Sequence, residues 1–146
     1  MVQSGCKDFR SLIGTPFVDG GRDPATGLDC WGLFMAAARI FGHEVRDFKI
    51  SCFKTPQIYM AAINEAQSRW TPVALPMAGD AVTMALDPDF PGFIQHFGVM
   101  VDAGRFLHTL QKTGAILTPT NHPFFKGKIT GYLRPHDSRN GNTKSD

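Results

Sequence analysis

The stretch HFGVMVDAGRFLHTL, residues 96–110, decides the fold. Its two halves, 96–102 and 105–110, alternate in the manner of strands, and Asp102-Ala103-Gly104 parts them. A three-residue loop pairs Val101 with Arg105. It also sets Gly98 opposite His108 and puts His96 one diagonal step away. Such loops end on a left-handed residue, a place that glycine fills well, so Gly104 is expected there. A two-residue loop would send the two histidines to opposite faces.

Working outward, 80–86, 114–118 and 129–133 also read as strands, separated by Gly, Pro and Asp. Upstream the period changes to helical. Apolar residues from Leu28 to Phe41 cover most of a cylinder, so this helix is expected to be buried nearly all round. Asp29 stands at its N-cap and Gly42 at its exit. A second helix starts at Thr55-Pro56, runs through QIYMAAINEAQSRW and is ended by Pro72 and Pro76. Residues 1–13 suggest a short lead-in helix, with Phe9, Leu12 and Ile13 at helical spacing. Helices first and strands afterwards predict an α+β fold, with N-terminal helices packed on an antiparallel sheet of about five strands.

The chain has 146 residues, 42% of them hydrophobic and 19% charged. That fits one domain, placed at 1–134, followed by a flexible polar tail at 135–146. A chain of this length hides roughly two thirds of its unfolded surface and needs no disulfide or metal staple. Fifteen basic and 13 acidic residues give a net charge of +2, which argues against a nucleic-acid coat. Lys126, Lys128 and Arg134 read as a solvated basic cluster. No window reaches the ~18 apolar residues of a membrane span, and no signal peptide is visible.

Three cysteines, Cys6, Cys30 and Cys52, lack the spacing of a disulfide framework or a zinc knuckle. Cys30 falls in the first turn of the first helix, where unpaired N–H groups favour a thiolate. A thiolate with a histidine partner is the nucleophile of a cysteine hydrolase; a buried thiol is the plainer alternative. Among the histidines, His43, His122 and His136 read as surface residues, whereas His96 and His108 sit inside strands. A metal site of Cys30, His96 and His108 is disfavoured, because no two of them form a close ligand pair.

Four pieces in order carry a resemblance. They are GTPFVDGGRDPATGLDCWGL at 14–33, AGDAVTM at 78–84, His96-Phe97-Gly98-Val99, and Phe106-Leu107-His108-Thr109. Over residues 12 to about 120 the chain resembles the NlpC/P60 family of papain-like cysteine peptidases. The resemblance implies a peptidoglycan stem-peptide endopeptidase without a cofactor, working through a thioester. It makes Cys30 the nucleophile, His96 the base and His108 the group that orients the base. Asp29 would shape the substrate-amine end of the cleft.

Three positions depart from the family pattern. Phe17 stands where a tyrosine hydroxyl is common, Trp31 replaces the common serine, and Ala78 replaces a proline before Gly79-Asp80. Phe17 and Trp31 are thus expected beside the substrate. Trp31 resembles the phage-derived branch, which suggests phage tail proteins as partners and delivery to the wall with a virion. Two other readings stay open: a tail-assembly protein that keeps the fold without activity, and another amidase or acyltransferase on the same scaffold.

Overall fold

A computed structural model of the chain describes residues 8–52, 54–89 and 93–136. A 3₁₀ turn over Phe9–Leu12 leads in, shorter than the helix expected at 1–13. Most of that expectation, and all but two residues of the 135–146 tail, lie outside the described residues. Two helices follow, α1 (Cys30–Ile40) and α2 (Pro56–Ser68). A small antiparallel pair, β1 (Arg22–Asp23) and β2 (Gly27–Leu28), sits in the glycine-rich loop before α1.

The main sheet has six antiparallel strands: β3 (Thr71–Val73), β4 (Ala81–Met84), β5 (His96–Met100), β6 (Arg105–Leu110), β7 (Gly114–Pro119) and β8 (Ile129–Arg134). Their spatial order is β3-β8-β4-β5-β6-β7. The strand beyond the five expected is β3. Its Pro72 reads as a helix stop, but an edge strand tolerates proline because one side of its ladder is unpaired.

Alternation sorts the strand residues onto two faces. Phe97, Val99 and Leu107 face α1 and pack with Trp31, Leu33, Phe34 and Trp70. Trp31 stacks on Phe34 at 5.6 Å and on Trp70 at 6.0 Å. Met100 and Phe106 face the other way, against Val82, Met84 and Phe125. Two polar ties fix the approach to the sheet. Asn64 of α2 donates to Ile94 O at 3.0 Å and accepts from Ile94 N at 2.8 Å, just before His96. Asp80, fully buried after the left-handed Gly79, accepts two 2.9 Å bonds from Arg134 at the end of β8. Arg134 is therefore a structural anchor rather than part of a solvated basic cluster.

The β5–β6 register is the expected one. Val99 pairs with Leu107, Met100 with Phe106, and Val101 N donates to Arg105 O at 3.0 Å. The cause differs from the expectation, because Gly104 does not adopt a left-handed conformation. Asp102 closes the turn instead, its Oδ1 accepting from Gly104 N and Arg105 N, both at 2.9 Å. Gly98 lets the two strands meet: a Cβ there would stand 2.7 Å from Leu107 O and 2.9 Å from the Phe106 ring. Gly98→Ala is therefore expected to destabilise the protein by about 1–3 kcal/mol, read from the shift of its urea midpoint.

Candidate active site

The site begins with a buried carboxylate. Asp29 has no exposed surface, and its Oδ1 caps α1 by accepting from Gly32 N at 2.8 Å. The same oxygen pairs with Arg22 Nη1 at 2.7 Å, and Oδ2 accepts from Gly20 N at 3.1 Å. Arg22 is held in turn by Asp47 Oδ1 and Phe48 O, both at 2.8 Å. The loop lies so close to the helix that a Cβ on Gly32 would meet Gly21 O at 2.2 Å. Both oxygens of Asp29 are thus occupied by the chain's own donors. Cys30 is left as the first residue of α1.

Of the first-turn donors, Gly32 N is taken by Asp29 Oδ1, Leu33 N by Asp29 O, and Trp31 N by the Tyr59 hydroxyl at 3.1 Å. The remaining one, Cys30 N–H, is turned to the Cys30 thiol. An exposed anion near Cys30 Sγ would find that donor at the positive end of the helix.

The histidines come together as the register requires. His96 Nε2 and His108 Nδ1 are 2.7 Å apart, and His108 Nε2 lies 2.8 Å from Thr118 Oγ1 on β7. One proton arrangement satisfies the string with His96 Nδ1 left as a base: His96 Nε2–H donates to His108, and His108 Nε2–H donates to Thr118. The rings are packed by Phe125, 6.0 Å from His96 and 5.3 Å from His108, and by Phe106, 4.7 Å from His108.

Cys30 meets this pair at the His96 end of β5. It shares a cleft of about 240 Å³ with His96, Phe17, Cys52, Tyr59 and Thr109. A narrower void joins Cys30 to Gly98, His108 and Thr109. Cys30 Sγ and His96 line this cleft without a direct hydrogen bond among the described residues. Catalytic contacts are commonly loose before substrate closes them.

The electrostatics reverse one expectation. Burial, then the neighbouring Asp29 carboxylate, push the Cys30 thiol up to about 12, against the weaker help of its own N–H and the Tyr59 hydroxyl. Desolvation outweighs the helix start, so the resting form is a thiol and not a thiolate. Burial also pushes His96 down to about 4. His108 falls to about 3, through burial and then the neighbouring His96 and His122. The resting site is an uncharged thiol beside two uncharged imidazoles.

The other sequence candidates separate. Phe17 borders the cleft. Trp31 is 1% exposed, and its indole lies in the core, donating to Arg46 O at 2.9 Å. It lines a different cavity, of about 420 Å³, with Phe48 and Trp70, so only its backbone N–H reaches the site. His43 packs half-buried beside Gly79, while His122 and His136 are exposed. Cys6 lies outside the described residues. Asp19, Asp29 and Cys52 bring ligand atoms within 4.8 Å of one another. Asp29 is already spent on Arg22 and two N–H groups, and Asp19 accepts from Cys52 N and Ser51 Oγ, so the chain's own donors occupy this set.

Sequence reasoning missed four residues at the site. Tyr59 and Cys52 line the cleft, Thr118 supports His108, and the Thr109 hydroxyl is buried there without a partner among the described residues. A buried helical tyrosine needs a hydrogen-bond partner, and that was the available signal for Tyr59.

Comparison with known proteins bears on the family and the fold. The profile of the NlpC/P60 family matches residues 14–134. An NlpC/P60 family protein from Bacillus cereus superposes with a TM-score of 0.62 at 19% identity, over 86% of this chain and 37% of its own. A protein from Staphylococcus aureus, similar to a lipoprotein of the NLP/P60 family, gives 0.58 at 18%, over 88% and 39%. The NlpC/p60 domain of the peptidoglycan hydrolase SagA gives 0.55 at 20%, over 86% and 91%. The chain thus spans about two fifths of the Bacillus and Staphylococcus structures. No curated protein matches it.

Two measurements check the energetics. Asp29→Ala removes one of the two carboxylates on Arg22, which keeps Asp47, and uncaps α1, and should cost about 2–4 kcal/mol in urea unfolding. The histidine pair sets a pH dependence. Their folded values, about 4 and about 3, lie below the ordinary histidine value of 6.5. Below that value the unfolded chain binds protons that the folded chain refuses, so stability falls with pH from neutral towards 4. Urea midpoints should drop over that window, and the His96 and His108 contribution to the slope should vanish in His96→Gln/His108→Gln.

Proposed function

The chain belongs to the NlpC/P60 family, and from that premise we propose that it is a cysteine peptidase cleaving an amide bond of peptidoglycan stem peptides. The observation that carries this reading is the shared cleft. A helix-start cysteine faces a histidine whose other ring nitrogen is already bonded to a second histidine. That the SagA neighbour is a peptidoglycan hydrolase adds support for a wall substrate. The unit proposed to act is the single stretch 1–134.

In the proposed cycle, Cys30 Sγ attacks the amide carbon as His96 Nδ1 takes the thiol proton. His96 is uncharged at neutral pH and can accept it, so general-base transfer replaces a preformed thiolate. The oxyanion is met by Cys30 N–H. Collapse expels the amine, which takes the proton from His96 and leaves a thioester on Cys30. Water then attacks the thioester with His96 again as base, releasing the acid and restoring the thiol. His108 and Thr118 hold the His96 tautomer.

Asp29 acts in this scheme from behind the cleft. By fixing Gly20 and Arg22 it shapes the wall where the substrate amine would lie, and Phe17 supplies an apolar face. Delivery to the wall with a phage tail is part of the proposal, on the ground of Trp31 in Asp-Cys-Trp-Gly.

Digestion of purified peptidoglycan with product mass analysis tests the reading. Cys30→Ala should abolish release. His96→Ala should lower it by about 10²–10⁴-fold, and His108→Ala by about tenfold, with folding retained. Equal release by wild type and Cys30→Ala would leave the inactive tail scaffold as the better reading.

A further inference from the structure

The cleft contains a hydroxyl that neither the reaction scheme nor the family pattern uses. Tyr59 projects from α2 and is 3% exposed, its ring set edge-on against Phe48 at 6.0 Å. Its oxygen accepts from Trp31 N at 3.1 Å, which leaves the phenolic proton to be donated elsewhere. It lines the same cleft as the Cys30 thiol, close enough to favour its ionisation. Across the same cleft stands Phe17, where the family commonly carries a tyrosine, and Phe17 offers no hydroxyl.

We propose that the Tyr59 hydroxyl is a catalytic donor. It hydrogen-bonds the developing oxyanion beside Cys30 N–H and supplies from α2 the group that position 17 lacks. The proposal rests on the hydrolytic reading of the Cys30 cleft. As Sγ forms its bond to the carbonyl carbon, the sulfur loses its need of a donor and the oxygen on that same carbon gains a negative charge. The O–H turns from one to the other. It keeps its proton throughout, and the oxygen returns to a carbonyl when the leaving amine departs, so no atom or charge is left unbalanced. Burial, the largest of the influences on Tyr59, raises its phenol well above the ordinary value, which keeps it protonated as a donor must be. The Trp31 N–H bond fixes the oxygen before substrate arrives, the preorganisation that makes such donors effective.

The test is a cycle of Tyr59→Phe and Phe17→Tyr, with near-UV circular dichroism to confirm the fold. Tyr59→Phe should lower kcat on peptidoglycan by about 10²–10³-fold with KM within about twofold. Phe17→Tyr should change wild type little, and should restore about tenfold or more in the Tyr59→Phe background. A Tyr59→Phe enzyme with wild-type kcat, or one altered only in KM, overturns the proposal. So does a kcat loss seen with Thr109→Val in its place. A second readout needs no turnover. The hydroxyl stabilises the Cys30 thiolate, so Tyr59→Phe should slow iodoacetamide labelling of Cys30 at pH 8 relative to Cys52. Unchanged labelling overturns the contact itself. Normal slowing without any wall hydrolysis by wild type would instead fail the peptidoglycan reading while upholding the Tyr59–Cys30 contact.

Discussion

The carboxylate of Asp29 is the constraint on which the rest depends. It starts α1, fastens the Gly20–Arg22 segment to that helix and, through Arg22, ties both to Asp47 and Phe48. A buried carboxylate is tolerable because it has a guanidinium partner and two N–H donors. The placement of Cys30 as the first helical residue follows from it. So does a conflict: the charge that anchors Cys30 also opposes its ionisation. In the proposed cycle a neutral His96 resolves it, taking the proton only as the thiol attacks.

The histidine pair is prepared by the sheet. Asp102 sets the turn, the turn sets the β5–β6 register, and the register puts two histidines on one face. Phe106 and Phe125 then dry the rings, and the loss of water holds them uncharged. Thr118 on β7 ends the string, so three neighbouring strands each contribute one polar group. The two halves of the site, helix start and strand end, meet in the cleft that Cys30 and His96 share.

Much of this was legible in the sequence. β6 has the limits that alternation gives it, Pro56 opens α2, and Asp29 caps α1. These features are local, and the chemistry that decides them lies within a few residues. What could not be read depends on groups far apart in the chain. The thiol was expected lowered by its helix start, but burial under α2 and the sheet decides it. Trp31 follows Cys30 in sequence, yet helical rotation turns its indole into the core. Tyr59 lies inside the helical run QIYMAAINEAQSRW, and only the packed structure shows its oxygen at Trp31 N–H. The edge strand β3 was hidden by Pro72, whose effect depends on what lies beside it.

The central claim is covalent, that an acyl group passes through Cys30 Sγ. Acid quenching during digestion of peptidoglycan fragments, followed by intact-protein and peptide mass spectrometry, tests it most directly. The account predicts an adduct equal to the acyl half of the substrate on the Cys30 peptide, lost on mild base treatment and never formed by Cys30→Ala. Product release by wild type with an unmodified Cys30 throughout, matched by Cys30→Ala, would contradict it.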